Sequence, residues 1–465
     1  MFIGRNKEFQ LFNDLYKRQD SCLAIVYGRR RVGKTEFIRR FCESKPHLYY
    51  ACAECTDDVQ LREFSALALS SGIPASKYVQ SFSGWEQAIE SALELPGDGK
   101  KILVIDEFPY AAKANGALPS LLQRLWDTVL KEKNVMLILC GSSIAFMEKE
   151  LLSEKNPLYG RASAILKMRE LPFSEAIQFF PAYSPEEKIT AYAILGGMPY
   201  YLEQFDPKWD IRRNMERFIL RRGTVLYNEV EFAMRQELRE PATYNTIIMA
   251  VAMGATKASE IASKTNLANE KVYVYLRQLE ELGIVVREFP VCSSSSEQAN
   301  RQRGLYRLTD NYFRFWYAFV FPYRSALEAD DAETILSEII SPKLNEFVSH
   351  SFEDICIDFM MRQKAIGTLP FIFTKIGRWW NKTDELDFLA LNADGTAFIA
   401  GECKFKKSPL NTHEMRKTFG KFEPKKKDAA FYYYFFSKSG FTDDVQKYAE
   451  VDSTVRLVDL NEIVS

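Results

Sequence analysis

Apolar positions along this chain follow two rhythms. The first is the short unbroken run: Leu23 to Tyr27, Leu48 to Ala51, Ile102 to Ile105 and Val135 to Cys140. Runs of four to six apolar residues closed by glycine, acid or serine read as strands buried on both faces. The second is helical spacing, in which Phe37, Ile38 and Phe41 follow the first run. A helical segment ending near Arg18 precedes that run, and others lie between residue 52 and Lys100, including one around Trp85–Leu95. Strands alternating with helices predict an α/β arrangement.

From Tyr244 the texture changes. Tyr244–Ala252, Ala258–Lys264 and Asn269–Leu282 read as three helices, the last with Val272, Tyr275, Leu276 and Leu279 on one face. Gly283 stops it. Residues 284–291 and 305–309 then read as two strands around a Ser-rich loop carrying Arg301 and Arg303. Three helices and a two-stranded wing predict a winged helix-turn-helix. The exposed side of the third helix offers Asn269, Lys271, Arg277 and Gln278, but also Glu270, Glu280 and Glu281. That is less basic than a DNA reader usually is, so DNA contact and internal packing both stay open. Residues 311–323 form an aromatic-rich helix expected in an interdomain core. A mixed acidic, helical linker (326–341) follows.

The last third opens on a helix, Asn345–Met361, with Phe347, Phe352, Ile355 and Phe359 inward and Glu353 pointing elsewhere. Asn392–Gly395 is a hairpin turn between two strands. Period-two alternation puts Glu385 and Asp387 on one face of the first strand, and Glu402 and Lys404 on one face of the second, with Cys403 turned to the core. A later strand covers 429–436.

Size and charge narrow the classes. At 465 residues the chain is too long for one core. Hydrophobic residues at 47% and charged residues at 26% are the balance of a soluble globular protein. A net charge of −1 excludes a molecule-wide nucleic-acid-binding field, so any basic surface is local. The N-terminus lacks a signal-peptide core, and the apolar stretch Tyr312–Tyr323 is too short to span a bilayer and carries Arg314. The expectation is a cytoplasmic protein with no membrane partner. Cys52 and Cys55 form a C-x-x-C without a second pair or nearby His, which predicts reduced, partly buried thiols.

The strongest chemical signal sits between the first strand and its helix. Gly28, Arg29, Arg30, Arg31, Val32, Gly33, Lys34 and Thr35, followed by Glu36, match G-x-x-x-x-G-K-[ST] in full. Strand, loop and helix agree, and that context makes the pattern a phosphate site. The two glycines let successive backbone N–H groups turn inward, and the helix directs its positive end there. Lys34 can reach the β- and γ-phosphates, and the Thr35 hydroxyl can ligate Mg²⁺. ATP with Mg²⁺ is the expected cofactor. Asp106 and Glu107 stand at the C-terminal end of a buried strand, the edge at which open α/β sheets bind ligands. Asp106 is placed to hold Mg²⁺, directly or through water, and Glu107 to polarise the attacking water. Ser142 and Ser143 end the next strand, and either hydroxyl can sense the γ-phosphate. Arg161 is the strong cation of residues 157–163. It reads equally as a surface arginine and as one that stabilises transition-state charge from a neighbouring subunit or a closing domain.

FIGRNKE, YGRRRVGKTEFI, LVIDEFPY, LCGSS, PLYGRAS and GGMPYYL together resemble the additional-strand P-loop ATPases of archaea and bacteria, among the AAA+/STAND relatives. The resemblance covers residues 1 to about 235. It implies a parallel sheet (1–173) and a small helical lid (174–235), with Gly196, Gly197 and Pro199 at the position where such lids touch the nucleotide. No arginine or lysine directly follows the Gly-Gly-Met-Pro, so a charged second sensor is not evident.

The C-terminal pattern is D…E-x-K on adjacent strands. Asp387 and Glu402 can ligate Mg²⁺, Lys404 can orient or activate the water that attacks a phosphodiester, and Glu353 can add a third metal ligand. Residues 345–465 resemble a PD-(D/E)xK nuclease core, and more closely the domain that often follows this ATPase type, with its Trp-Trp, E-[LI]-D and E-C-K signatures. Leu386 replaces the nominal proline. Lys404, Lys406, Lys407, Arg416, Lys417, Lys421 and Lys425–Lys427 form a basic tract that reads as a solvated face or as a phosphate-backbone track. With the winged helix at 236–310 and a linker at 311–344, the expected protein is an ATP-driven switch controlling a nuclease-like domain that acts on nucleic acid, DNA before RNA, with self-association. The alternative is a STAND-like signalling or scaffold ATPase whose nuclease-like domain is inactive.

Overall fold

In the computed structural model the apolar runs become strands, and their order explains where the site lies. The structure describes residues 2–465 apart from 154, 155, 157, 239, 240, 300–303, 425 and 427. Pro157, Arg301, Arg303, Lys425 and Lys427, named above, therefore lie outside the described residues. The chain divides into two units, Met1–Leu171 and Pro172–Ser465.

The first unit holds β1 (Cys22–Tyr27), β2 (His47–Ala51), β3 (Lys101–Asp106), β4 (Val135–Gly141) and β5 (Ala164–Lys167) in one parallel sheet of order β2-β3-β4-β1-β5. β1 and β4 are buried along their whole length, as the unbroken apolar runs require. β4 is inserted between β1, which feeds the glycine loop, and β3, which ends in Asp106. Three strand ends, those of β1, β3 and β4, thereby lie side by side. β5 was not expected. It is a four-residue edge strand whose exposure alternates, with Ile165 half exposed, so it lacks the apolar run that marks its neighbours. Helices cover the sheet through aromatic contacts: Phe12 meets Phe37 and Phe41 edge to face, and Tyr50, Phe64 and Trp85 form a second cluster.

In the second unit the helices Pro241–Ala252, Ala258–Thr265 and Asn269–Glu281 precede an antiparallel pair, β6 (Val285–Glu288) and β7 (Leu305–Leu308). β6 is shorter than the strand expected at 284–291. Pro290 has no N–H to give a ladder. In the aromatic segment Tyr312, Phe313, Phe315, Trp316 and Tyr317 are all buried. Arg314 survives among them because its guanidinium donates to the Phe347 carbonyl (3.0 Å) and Ser351 Oγ (2.7 Å) and lies 4.1 Å over the Phe347 ring. No helix of the described residues is long and apolar enough to cross a membrane.

The expected helix at 345–361 runs from Ser341 to Ile366, with Pro342 in its first turn and Gly367 (φ 76°) closing it. It packs on a five-stranded mixed sheet of order β12-β11-β10-β9-β8: β8 (Lys375–Trp380), β9 (Glu385–Leu391), β10 (Ala397–Lys404), β11 (Ala430–Ser437) and β12 (Val455–Asp459). β8, β9 and β10 are antiparallel, whereas β10, β11 and β12 are parallel. The β9–β10 register pairs Gly401 with Phe388, and a Cβ on Gly401 would sit 2.0 Å from the Phe388 ring. Glycine there lets the two strands close just before Glu402.

Candidate functional site at the parallel-sheet edge

The glycine loop is shaped by close approach. A Cβ on Gly28 (φ 154°) would stand 2.3 Å from the Met168 carbonyl oxygen, so only glycine lets β1 turn there. Gly33 (φ 92°) opens the helix Lys34–Cys42 in the left-handed region, and Arg31 shares that conformation (φ 68°). Val32 is buried, and Arg5, itself buried, donates to the carbonyls of Val32 (3.0 Å) and Arg169 (2.6 Å). Arg5 thus braces the loop from behind. From its place upstream of the phosphate loop, the Gly4-Arg5 pair was expected to fold over the adenine and ribose; the Arg5 guanidinium is engaged by the Val32 and Arg169 carbonyls. Arg29 pairs with Glu170 (3.1 Å), Arg30 donates to the Tyr110 hydroxyl (3.0 Å), and Glu36 pairs with Arg40 one turn on (3.2 Å).

Lys34 Nζ reaches across the loop to the carbonyls of Gly28 (2.9 Å) and Arg29 (3.0 Å). Burial lowers its pKa, and the nearby Glu107 and Asp106 charges oppose that shift. The Thr35 hydroxyl donates to Asp106 Oδ2 at 3.0 Å, and the Tyr49 hydroxyl on β2 donates to the same oxygen. Burial and the Asp106 charge hold the Tyr49 phenol protonated. Tyr49 went unread because only strand pairing puts β2 beside β3. A hydroxyl and a carboxylate are the hard oxygen donors that suit Mg²⁺.

Glu107, just past β3, takes a left-handed backbone (φ 50°, ψ 41°). That turn aims its side chain at β4, where Oε2 accepts from Ser142 N (3.1 Å) and Ser142 Oγ (2.8 Å). The two candidate serines therefore part company. Ser142 clasps Glu107, while Ser143 accepts from Phe146 N and caps the short helix Ile144–Phe146. Arg161 is engaged by both oxygens of Asp127 (3.0 and 2.8 Å) near the end of helix Leu118–Thr128. Pro199 opens a short helix, Pro199–Leu202, in the second unit. Cys52 is buried, which pushes its thiol up to about 12, Cys55 is half-buried, and all eight cysteines are free thiols.

The C-terminal residues also converge. One step beyond the Gly401–Phe388 pair, the β9–β10 register sets Asp387 opposite Glu402, and Asp387 Oδ2 accepts from Cys403 N at 2.6 Å. Burial, with the Glu402 and Glu353 charges, pushes Asp387 up to about 8. Burial also works against Glu402, yet Lys404 and Lys421 beside it hold its pKa below the usual carboxylate value. Thr418 Oγ1 donates to Glu402 Oε2 as well (3.2 Å). Neither Thr418 nor Lys421 could be placed from the sequence, because the helix and loop that bring them back are not adjacent to β10 in the chain.

Two candidate residues are held by ion-pair partners within the domain. Glu353 was expected as a third metal ligand, but Arg378 on β8 takes it (2.8 Å) and bridges on to Glu288 (3.1 Å) and Asp354 (3.3 Å). Lys404 was expected to face a water, and here it ion-pairs with Glu402. Among the described residues no three His, Cys, Asp or Glu side chains converge as a metal-holding group. The pair Asp387 and Glu402 still fits Mg²⁺, which keeps most of its waters and needs only one or two carboxylates.

A parallel sheet with a glycine loop after β1, an acidic β3 end and a strand inserted between them defines a P-loop ATPase. Residues 2–205 match the model of an ATPase domain predominantly from Archaea, and residues 316–418 match archaeal and bacterial proteins of unknown function. An uncharacterized protein of Methanocaldococcus jannaschii is 33% identical over 420 residues, 90% of each chain. The chain belongs to the family of that protein. An uncharacterized ATP-binding protein of the same organism is 42% identical over 45 residues, 10% of this chain and 76% of that one. Among solved structures, the Walker-type ATPase of Pyrococcus abyssi shares the fold with a TM-score of 0.50 at 19% identity, over 68% of this chain and 96% of that chain.

Proposed function

We infer that the protein is an ATP-hydrolysing switch whose nucleotide state controls a C-terminal, nuclease-like domain acting on nucleic acid. The observation that carries the ATPase half is the contact of Thr35 Oγ1 with Asp106 Oδ2 at 3.0 Å, one residue before Glu107. It joins the phosphate loop to the acidic strand end. Lys34 binds the β- and γ-phosphates, Thr35 and Asp106 hold Mg²⁺, and Glu107 accepts hydrogen bonds from the attacking water. Mg²⁺ neutralises phosphate charge when bound. Ser142 holds the Glu107 carboxylate between turnovers and exchanges it for the γ-phosphate when ATP arrives. Arg161 acts from a neighbouring subunit or after closure, which requires its Asp127 pair to open.

Glu107→Gln tests this. The variant keeps ATP affinity and loses about 100-fold in hydrolysis, the range expected for a positioned general base. Hydrolysis at the wild-type rate overturns the assignment.

In the nuclease-like domain Asp387 and Glu402 hold Mg²⁺, which would supply Lewis-acid activation of a phosphodiester. Lys404 orients the attacking water, and Lys406, Lys407, Lys417 and Lys426 track the backbone. The three helices and hairpin of 241–308 serve as a winged helix. A second reading, a signalling switch with an inactive nuclease-like domain, is favoured by the engagement of Glu353 with Arg378 and of Glu402 with two lysines. Incubation of the protein with plasmid, single-stranded DNA and RNA in Mg²⁺ or Mn²⁺, with and without ATP, decides between them. Cleavage that Lys404→Ala abolishes supports the nuclease; no cleavage under any condition supports the signalling switch.

A further inference from the structure

Residues 209–224 (WDIRRNMERFILRRGT) carry five arginines against two acids, more positive charge than the near-neutral chain predicts. They surround a cavity of about 540 Å³ lined by Trp209, Phe218, Arg213, Arg217, Arg221 and Arg222. None of these residues belongs to either strand-edge site. The Trp209 and Phe218 rings lie nearly parallel, 18° apart with centroids 5.8 Å from each other. The Arg213 guanidinium sits 3.9 Å over the Trp209 ring. Both rings are half-buried, while the arginines around them are exposed.

The bland reading is a solvated arginine face. Pairing argues against it. Arg212 and Arg222 are met by Glu333 and Glu328, whereas no carboxylate of the described residues pairs with Arg213, Arg217 or Arg221. The stack is also held in place. Fully buried Asn214 donates to the Tyr183 hydroxyl (2.8 Å) and to the carbonyls of Asp206, Trp209 and Asp210 (2.9, 3.0 and 3.1 Å). Tyr183 donates to the Trp209 carbonyl as well (2.7 Å), and Thr224 Oγ1 ties the carbonyls of Phe218 and Arg221 (2.8 Å each). The helix widens to a π turn over Met215–Ile219, a departure concentrated at functional sites. Thr224 then opens the helix Val225–Glu237, whose positive end meets the cavity wall.

A lone phosphate has no use for stacked rings, and an apolar ligand has none for three uncompensated guanidinium groups. A duplex hides its base faces. We propose that this cavity binds single-stranded nucleic acid, a base layering onto the Trp209–Phe218 stack and adjoining phosphates meeting Arg217 and Arg221. Aromatic stacking with cation contacts to the backbone is the chemistry of sequence-tolerant strand binding.

The test is fluorescence anisotropy of a labelled oligothymidylate with the full chain across a salt series. Any contribution of the C-terminal lysines is common to every variant, so differences report this cavity. Trp209→Leu weakens binding by about tenfold, the loss of one stacked base. Arg217→Ala with Arg221→Ala, both exposed and so safe for folding, lowers the salt slope by about 1.4, two phosphate contacts on a single strand. ATP hydrolysis stays at the wild-type rate in the arginine double variant, which shows that it is folded. Unchanged affinity and slope in that variant overturn the proposal. So does equal affinity for a duplex of the same length, or displacement of the strand by an equal concentration of inorganic phosphate.

Discussion

The two strand-edge sites use the same ingredients, two acidic side chains with lysine beside them, and treat their charge in opposite ways. At β3 the partners of Asp106 and Glu107 are neutral donors: the hydroxyls of Thr35, Tyr49 and Ser142 and the Ser142 amide. Neutral donors orient a carboxylate and leave its charge to act on what binds. The lysine there, Lys34, is spent on loop carbonyls rather than on an acid. At β10 the lysines are on the acid itself, so Glu402 is compensated from within the domain, while Asp387 is left among like charges. Desolvation makes that neighbour the proton carrier of the pair. The first arrangement awaits a cation and a polyphosphate. The second has balanced itself, and only a cation strong enough to compete with Lys404 and Lys421 changes it.

The sharpest way to break the comparison is to exchange the lysines' fates. Lys34→Ala lowers ATP affinity by about 100-fold or more, because the buried cation proposed for the β- and γ-phosphates is lost, whereas Lys404→Ala leaves ATP affinity alone. A titration with fluorescent ATP reads both. Gly28→Ala drives a Cβ into the Met168 carbonyl and lowers stability by about 2 kcal/mol, with ATP affinity falling alongside. Thermal unfolding with and without ATP measures it.

The second site is probed through pH in the presence of a chelator. The folded state holds a proton on Asp387 up to about pH 8 that the unfolded chain releases at the usual carboxylate pKa. Stability from this group is therefore full in acid and is lost as pH rises through that window, by at most about 1.4 kcal/mol per pH unit. Asp387→Asn removes the slope, and Mg²⁺ bound by the wild type opposes it. Urea midpoints at several pH values follow the change. Ser142→Ala releases the Glu107 carboxylate and lowers hydrolysis about tenfold with ATP affinity retained, the loss of one charged hydrogen bond. The smallest effect is on stability in Arg161→Ala. The ion pair with Asp127 is exposed to solvent and contributes little to stability, so a fall in hydrolysis in that variant reports on the nucleotide site and not on folding.

Much of this was legible before any coordinates. Each unbroken apolar run became a strand; β1, β3 and β4 are buried on both faces, where no polar position interrupts them, whereas β2 at the sheet edge is buried only at alternate positions. The glycine loop was legible because backbone shape, not packing, dictates Gly28 and Gly33. The Asp387–Glu402 pairing followed from the turn at Asn392–Gly395, since a short hairpin fixes register. What the sequence could not fix is anything decided by which elements become neighbours. The insertion of β4 between β1 and β3 chose Ser142 over Ser143. The approach of β8 to the helix Ser341–Ile366 gave Glu353 to Arg378. The return of the chain after Thr412 brought Lys421 onto Glu402. Local pattern determines which residues can do chemistry, because period and propensity act over a few residues. The partners that tune each charge come from far along the chain, and only the packed fold selects them.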